Sequence, residues 1–192
     1  MRRGAFVTVA VALVLAVAGC SEPQQANDTL PTASETPAEP TLEPLGPADF
    51  PVPDEAREQT EAGAEAMAVY YLDLLDYVKA QVGGRSLDTA PLRDLSNDCE
   101  VCEQVADGFD NANASGYIYE GGELDPPSIG TVSYVVPSAD IAFTVQQAAA
   151  RVVGTGGVEV RSSEQVTLRG GIVLEWNSVR AGWIATQLNL TD

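Results

Sequence analysis

The chain has 192 residues, with ten Lys or Arg, 28 Asp or Glu and no His, and therefore a formal net charge of −18. The absence of His excludes Ser-His-Asp catalysis, Cys-His catalysis and a His general base. Three Cys without His cannot complete a four-ligand zinc site made only of Cys and His within one chain. The strong acidity disfavours nucleic-acid binding, because a phosphate backbone is repelled. Hydrophobic residues make up 45% of the chain, so at least one folded domain is expected.

The N-terminus has the pattern of a lipoprotein export signal. Arg2 and Arg3 precede an uncharged apolar stretch over residues 4–19, which is short for a membrane-spanning helix of about 20 residues and typical of a signal peptide. The stretch ends in Val17-Ala18-Gly19-Cys20, which resembles the bacterial lipobox. Ordinary secretory cleavage with an incidental Cys20 is the alternative. We predict a signal peptide over residues 1–19, lipid attachment at Cys20 and a membrane anchor on the extracytoplasmic face of the cell.

Residues 20–53 are predicted to form a disordered tether. Residues 21–53 hold eight of the 12 prolines, six acidic residues and no Lys or Arg. Such a composition cannot bury enough apolar surface to offset the entropy of ordering. The tether either lifts a domain away from the membrane or links it without a length requirement. Residues 54–192 carry eight basic and 22 acidic residues, a net charge of −14, and are expected to form one soluble domain.

The first half of this domain has helical periodicity. Apolar residues at i, i+3 and i+4 spacing predict a helix over residues 54–82 with Asp54 as its N-cap. A short helix is predicted over Pro91–Leu95, and a third helix is predicted to begin with Asn97 or Asp98 as its cap. The predicted buried face of the third helix consists of Val101, Val105, Phe109 and Ala112.

The second half changes to a period of two, which is typical of strands. Segments rich in β-branched and aromatic residues are separated by Gly, Pro and Ser. The predicted strands are residues 117–119, 131–136, 141–145, 165–168, 172–176 and 183–190. Helices followed by these strands predict an α+β domain, with the N-terminal helices packed on one face of an antiparallel sheet.

Three sequence blocks carry a family resemblance: residues 70–77 (YYLDLLDY), 92–102 (LRDLSNDCEVC) and 116–123 (GYIYEGGE). With the lipobox and the Pro-rich tether, they resemble an uncharacterised domain-of-unknown-function family of actinobacterial lipoproteins. That resemblance covers most of residues 54–192 and implies no reaction and no catalytic residues. The helices-then-sheet order is also similar to the NTF2-like cone fold, in which a curved sheet wraps a long helix. This second resemblance implies either a cone-shaped apolar pocket or a filled core.

Cys99-x-x-Cys102 is the most specific local motif. Two nearby thiols outside the cytoplasm usually pair, and Asp98, Glu100 and Glu103 disfavour the thiolate that a redox-active pair requires. We predict a structural disulfide between Cys99 and Cys102, with a redox-active pair and two free thiols as the alternatives.

Other candidate sites are weaker. Asp73 and Asp76 are spaced i, i+3 and could act as paired carboxylates, but they flank the apolar stripe, so a solvated helix edge is predicted. The Asn111-x-Asn113 pattern lacks the Asp and Glu of a calcium loop. The Gly-rich segments 154–157 and 169–171 lack the Lys of a P-loop and are predicted to form hairpins or bulges. We therefore predict no catalytic residue, no metal and no cofactor.

The predicted function is that of a membrane-anchored, non-catalytic binding domain. Its predicted partner, apart from the membrane, is an envelope protein or a small apolar ligand. Two alternatives stay open. One is an NTF2-like enzyme of the isomerase or hydratase type that uses a carboxylate in the pocket. The other is a purely structural component of the envelope.

Overall fold

A computed structural model describes residues 43–192 of the chain. The predicted signal peptide, Cys20 and the tether up to residue 42 lie outside the described residues. A short 3-10 helix (Asp54–Arg57) is followed by α1 (Glu61–Lys79), α2 (Ala90–Asp94) and α3 (Glu100–Ala114). Seven strands follow: β1 (Ile118–Gly121), β2 (Ser128–Val135), β3 (Ser138–Gln147), β4 (Ala150–Val153), β5 (Glu159–Ser163), β6 (Val166–Asn177) and β7 (Gly182–Thr191). This order confirms the predicted α+β class.

The packed part of the chain begins earlier than the sequence predicted. Leu45 and Val52 are buried in the core, and the Val52 N–H donates to the Leu45 carbonyl at 2.8 Å. Phe50 stacks on Tyr70 of α1, with ring centroids 5.2 Å apart. Residues 43–53 therefore pack on the domain, because three apolar side chains among the prolines have defined positions there.

Helix α1 begins later than its predicted start at Asp54. Thr60 is the N-cap, and its side chain accepts a hydrogen bond from the Gly63 N–H at 3.0 Å. Glu58 is extended, and its carbonyl accepts a hydrogen bond from the Trp183 indole N–H at 2.9 Å. A Cβ at Gly63 would lie 2.1 Å from the Glu58 carbonyl oxygen, so glycine allows this segment to lie against the first turn of α1.

Helix α2 confirms the predicted short helix, and α3 differs from its prediction at the cap and on the buried face. Cys99 is the N-cap of α3, in place of Asn97 or Asp98. Asp98 has a left-handed backbone with φ 53°, which sets the turn before the helix. Val101 is 36% exposed, so the buried face is rotated from the predicted one. The fully buried residues of α3 are Cys102, Ala106 and Ala112.

The sheet consists of two antiparallel ladders joined at a bend. One ladder has the strand order β2-β3-β6-β7 and the other has the order β1-β4-β5. Strand β3 pairs with β6, and β4 pairs with β5, as shown by the pairs Gln147–Val166 and Ala150–Ser163. Strands β3 and β4 thus form one arm of a long hairpin, and β5 and β6 form the other. Residues 148–149 and 164–165 lie between the ladders. This interruption and the register shifts within the ladders curve the sheet, because such irregularities bend strands.

Two predicted strands, residues 165–168 and 172–176, are parts of the single strand β6, so the prediction of a turn or bulge at 169–171 was wrong. A Cβ at Gly170 would lie 2.3 Å from the Asn189 carbonyl oxygen, so this glycine serves the close approach of β7 within a continuous strand. Strands β4 and β5 were not predicted, because every residue of β5 is exposed and it has no apolar alternation. Residues 154–157 form the predicted hairpin turn, with the Gly157 N–H donating to the Gly154 carbonyl.

The core lies between α1 and the face of the sheet that carries Ile141, Phe143 and Val145, which we call the inner face. At the end of the sheet nearest the β6–β7 turn, Trp183 packs edge-on against Trp176 and Tyr134, with centroids 5.3 and 6.1 Å away. Within residues 43–192, every buried side-chain polar atom has a hydrogen-bond partner. In the same part of the chain, no helix has the length and apolar character needed to cross a membrane.

Candidate functional site: a cavity at the bend of the sheet

The strand register assigns side chains near the bend to the two faces of the sheet. Residues directly opposite each other in an antiparallel ladder share a face. Tyr119 and Arg161 both lie opposite Val152, so these three side chains share the inner face. Glu120 lies opposite Arg151 on the outer face, where the two form an ion pair at 2.6 Å.

A cavity of about 360 Å³ lies at the bend, between the C-terminal part of α1, helix α3 and the inner face. This volume is within the roughly 300–1,000 Å³ that is typical of small-molecule sites. Phe109 of α3 meets Tyr119 of β1 edge-on, with ring centroids 6.1 Å apart. The larger apolar side chains that line the cavity are Leu75, Val105, Phe109, Tyr119, Leu124, Leu168 and Leu190. Of the two alternatives that the NTF2-like resemblance left open, a pocket and a filled core, the structure therefore has an apolar cavity at the bend.

An ion pair on α1 forms one polar edge of the cavity. The Lys79 ammonium donates to Asp76 Oδ1 at 2.7 Å and also to the Gly122 carbonyl. Asp76 Oδ2 accepts the Leu124 N–H at 2.5 Å. Lys79 and Asp76 have side-chain exposures of only 13% and 23%. The Asp76–Lys79 pair thus holds the chain segment after β1 against α1.

The two carboxylates that the sequence placed on a solvated helix edge have different environments. Asp73 is exposed, as predicted, whereas Asp76 is partly buried and lines the cavity, which corrects the prediction for that residue. Partial desolvation and the nearby Asp76 charge raise the pKa of Asp73 above its ordinary value. Because both oxygens of Asp76 already accept hydrogen bonds, the cavity edge has no free carboxylate at this position to act as a base.

A second polar group lines the cavity on strand β5. Arg161 and Ser163 lie opposite Val152 and Ala150, and all four residues line the cavity. Sequence reasoning missed Arg161 because β5 was not predicted as a strand. The period-two rule would have placed Arg161 inward only if the register of β5 were already known.

The two cysteines of the C-x-x-C motif lie in the core, outside the cavity. Their Sγ atoms are 1.99 Å apart, at disulfide distance, and the residues are 2% and 1% exposed. The Sγ atom of Cys99 also accepts the Cys102 N–H at 3.3 Å. Burial of both sulfurs suits a structural pair, since thiol exchange requires access to an incoming thiol.

The Asn-rich pattern that partly matches a calcium loop is helical in the structure. Asn111 and Asn113 belong to the last turns of α3, and Asn113 Oδ1 accepts the Gly83 N–H at 2.9 Å. Asn113 therefore ties the end of α3 to the turn after α1. Over residues 43–192 there is no cluster of three or more Asp, Glu, Cys or His with a geometry that could hold a metal ion.

The domain is similar to solved structures at the level of the fold. One is the intermembrane-space region of the chloroplast protein ARC6, with 14% identity and a TM-score of 0.51 over 65% of this chain and 93% of that one. Another is an NTF2-like superfamily protein from Salmonella enterica serovar Typhimurium, with 11% identity and a TM-score of 0.42 over 69% of this chain and 92% of that one.

The likeness to ARC6 and the order of helices and curved antiparallel sheet agree with the fold class expected from the sequence, and NTF2-like proteins occur among the structural neighbours. No protein-family model matches the chain, and no curated protein matches it. Its resemblance to actinobacterial lipoproteins therefore stays a prediction.

Proposed function

We propose that this chain is a lipid-anchored lipoprotein of the extracytoplasmic membrane face whose domain binds a small apolar ligand in the cavity at the bend. The observation that carries the proposal is the cavity itself, which is mainly apolar, of ligand size, and bordered by α1, α3 and the inner face. A purely structural domain gains stability by filling such a space, because each unfilled volume loses packing energy. An open apolar cavity therefore favours a binding role.

The anchoring part of the proposal is supported by the charged, apolar and lipobox pattern that ends at Cys20. Cys20→Ala should abolish incorporation of a labelled fatty acid and either leave an unprocessed precursor in the membrane or release the protein. Cys99→Ala serves as the control, because that residue lies inside the domain and its substitution should leave acylation unchanged. Continued acylation of the Cys20→Ala chain would contradict the anchor.

The ligand-binding part can be tested with the full chain in its own membrane. A clickable alkyl diazirine should label peptides of the described domain that contain cavity residues such as Phe109 and Leu168. Val152→Trp places a large ring on the inner face and should suppress that labelling severalfold. Val153→Trp is the matched control, because Val153 lies opposite Ile118 on the outer face and its ring should leave labelling unchanged. Equal labelling of both variants, or no labelling of the wild type, would show that the cavity is not the ligand-binding site.

Catalysis by a pocket carboxylate is less well supported. Asp76 is the one carboxylate that lines the cavity among residues 43–192. Its two oxygens are hydrogen-bonded to Lys79 and to the backbone of Leu124, so it is committed to holding the chain. A general base needs a free oxygen within reach of the substrate proton.

A partner protein is the second candidate, and exposed apolar residues at the other end of the sheet favour it. Val135 and Val136 at the β2–β3 turn are 72% and 57% exposed, and Val179 at the β6–β7 turn is 94% exposed. Both turns lie at the same end of the four-stranded ladder, since Ser138 pairs with Glu175. Photocrosslinking from position 179 on intact cells tests this candidate without involving the cavity.

A further inference from the structure

Arg161 is the one charged side chain that the inner face presents, judged from the register of the strands between residues 118 and 191. Its neighbours on that face are Val152 and Ser163, and the positions beyond them are apolar or small. The side chain lines the cavity, as do Asp76 and Lys79 of α1. A cationic group has therefore been placed where the rest of the sheet carries core residues.

Arg161 has no ionic partner within the described part of the chain. The ion pairs of residues 43–192 use Lys79, Arg93 and Arg151, and none of the side-chain hydrogen bonds there comes from Arg161. Arg151 lies on the neighbouring strand β4, on the outer face, and is paired with Glu120 at 2.6 Å. Arg161 is exposed to solvent. A ligand that fills the cavity would cover the guanidinium, and covering an unpaired charge is costly.

We infer that the ligand is a single-chain amphiphile with an apolar tail and one carboxylate head group, and that Arg161 binds the carboxylate. This inference rests on the proposed function and names the ligand class of the same cavity. The tail would lie among Phe109, Leu124 and Leu168, and the Ser163 hydroxyl lies on the same face as Arg161 to donate a further hydrogen bond. The planar guanidinium matches a carboxylate with two parallel hydrogen bonds.

The net charge of the whole domain favours a ligand whose head group carries a single negative charge. Residues 54–192 carry 22 acidic and eight basic residues, so a multiply charged head group would be repelled. One unpaired arginine neutralises one negative charge. A carboxylate is therefore favoured over a phosphate monoester. Dodecyl phosphate is included as a competitor in the experiment below to distinguish the two head groups.

The test is a competition experiment on the full chain in its membrane. Alkyl diazirine labelling of the cavity peptides is measured against increasing dodecanoate, dodecanol or dodecyl phosphate. For each variant the dodecanoate-to-dodecanol potency ratio is measured, and the ratios are compared between variants, so that the different partitioning of the two competitors into the membrane cancels. Arg161→Gln should lower this ratio about fivefold, the size expected for a charged hydrogen bond at a solvent-exposed site. Arg151→Gln on the outer face is the matched control and should leave the ratio unchanged.

The competition experiment distinguishes the role of Arg161 from the role of the cavity. A dodecanoate preference that Arg161→Gln abolishes and Arg151→Gln retains would support the inference, provided that dodecyl phosphate competes less well. A dodecanoate-to-dodecanol potency ratio that is the same in Arg161→Gln as in the wild type would overturn the carboxylate inference while leaving the apolar cavity as a binding site. A lower potency ratio in both Arg161→Gln and Arg151→Gln would also overturn the carboxylate inference, because the preference for dodecanoate would then arise from the general electrostatics of the domain. Failure of every competitor would overturn the proposed function itself.

Discussion

The two ladders of the sheet form two halves with different packing. The closed half, formed by β2, β3, β6 and β7, is covered by α1 and holds the fully buried residues Ile141, Ile172 and Leu174. The open half, formed by β1, β4 and β5, borders the cavity, and its strands contain no fully buried residue. One continuous hairpin runs through both halves. The domain therefore has its buried core at one end of the hairpin, whereas the other end borders the cavity.

The largest expected difference between the halves comes from one strand. Leu174 and Leu168 both lie on the inner face of β6, but Leu174 is fully buried in the closed half and Leu168 borders the cavity. Leu174→Ala should lower the free energy of unfolding by about 3–5 kcal/mol, as for other buried leucines. Leu168→Ala should cost about 1 kcal/mol, because less apolar surface is removed from contact. Urea unfolding of both variants measures the difference, and equal losses would mean that the open half is also packed.

The closed half should also respond to alkaline pH through Tyr71. Burial raises the pKa of Tyr71 to about 12, and its hydroxyl donates to the Leu92 carbonyl at 3.3 Å. The folded state therefore favours the neutral phenol. This contribution is complete below pH 10 and is lost as the pH rises towards 12, at a total of about 2–3 kcal/mol.

Tyr71→Phe should flatten the fall in stability between pH 10 and 12, measured by urea unfolding at each pH. Tyr119→Phe, at the cavity, is the control that should leave the slope close to that of the wild type. A slope that is unchanged in Tyr71→Phe would show that the alkaline response arises elsewhere.

The disulfide is expected to stabilise the closed half without changing the cavity. Replacing Cys99 and Cys102 together by Ala should lower the free energy of unfolding by about 2 kcal/mol, the value of the chain-entropy relation for so short a loop. Reduction of the wild-type protein should give a similar loss, and a denatured mass two hydrogens higher identifies the reduced form. Labelling of Phe109 and Leu168 peptides should be unaffected. Full alkylation of both cysteines without reductant would contradict the pairing.

The smallest effects are expected at the two aspartates of α1, and they have opposite signs. Asp76→Asn weakens the bonds to Lys79 and Leu124 and should cost about 1 kcal/mol, with faster amide exchange at Leu124. Asp73→Asn should stabilise the protein by about 0.3 kcal/mol at pH 7, since it removes a like-charge neighbour.

The sign of the Asp73 effect follows from its raised pKa. The folded state disfavours the carboxylate, so this destabilisation is present at neutral pH and disappears as the pH falls through the raised folded value. Urea unfolding at pH 7 and pH 3 checks the difference. A gain that persists at pH 3 would assign the effect to helix propensity.

Much of the fold follows from patterns that are local in the sequence. The apolar stripe of α1 and the Pro at the start of α2 depend on neighbouring residues, and both helices were placed correctly apart from their boundaries. The alternation in β6 was also recognised, but the strand was divided by a turn that it does not contain. The start of α1 was misplaced because Trp183, distant in the sequence, binds the Glu58 carbonyl. The position of Phe50 was missed for a similar reason, since its partner Tyr70 lies on α1.

From the sequence, a cavity could be expected only through the resemblance to the NTF2-like cone fold. Which side chains face it depends on the register of β4 and β5, and neither strand has the apolar alternation that would reveal it. Arg161 is indistinguishable in the sequence from an ordinary surface arginine. Asp76 likewise has the spacing of a solvated residue and becomes a structural group only when the segment at Leu124 returns to α1.

The guanidinium of Arg57 has a mechanical consequence. It donates to the Glu43 carbonyl at 2.8 Å and to the carbonyls of Arg180 and Ala181 in the β6–β7 turn at 3.1 and 3.3 Å. Tension applied to the N-terminal end of the domain, as on a protein held at a surface in flowing liquid, would pass through Arg57 into that turn. The turn lies at the end of the sheet away from Arg161. Pulling forces would therefore be borne by the closed half, and the shape of the cavity would be insulated from them.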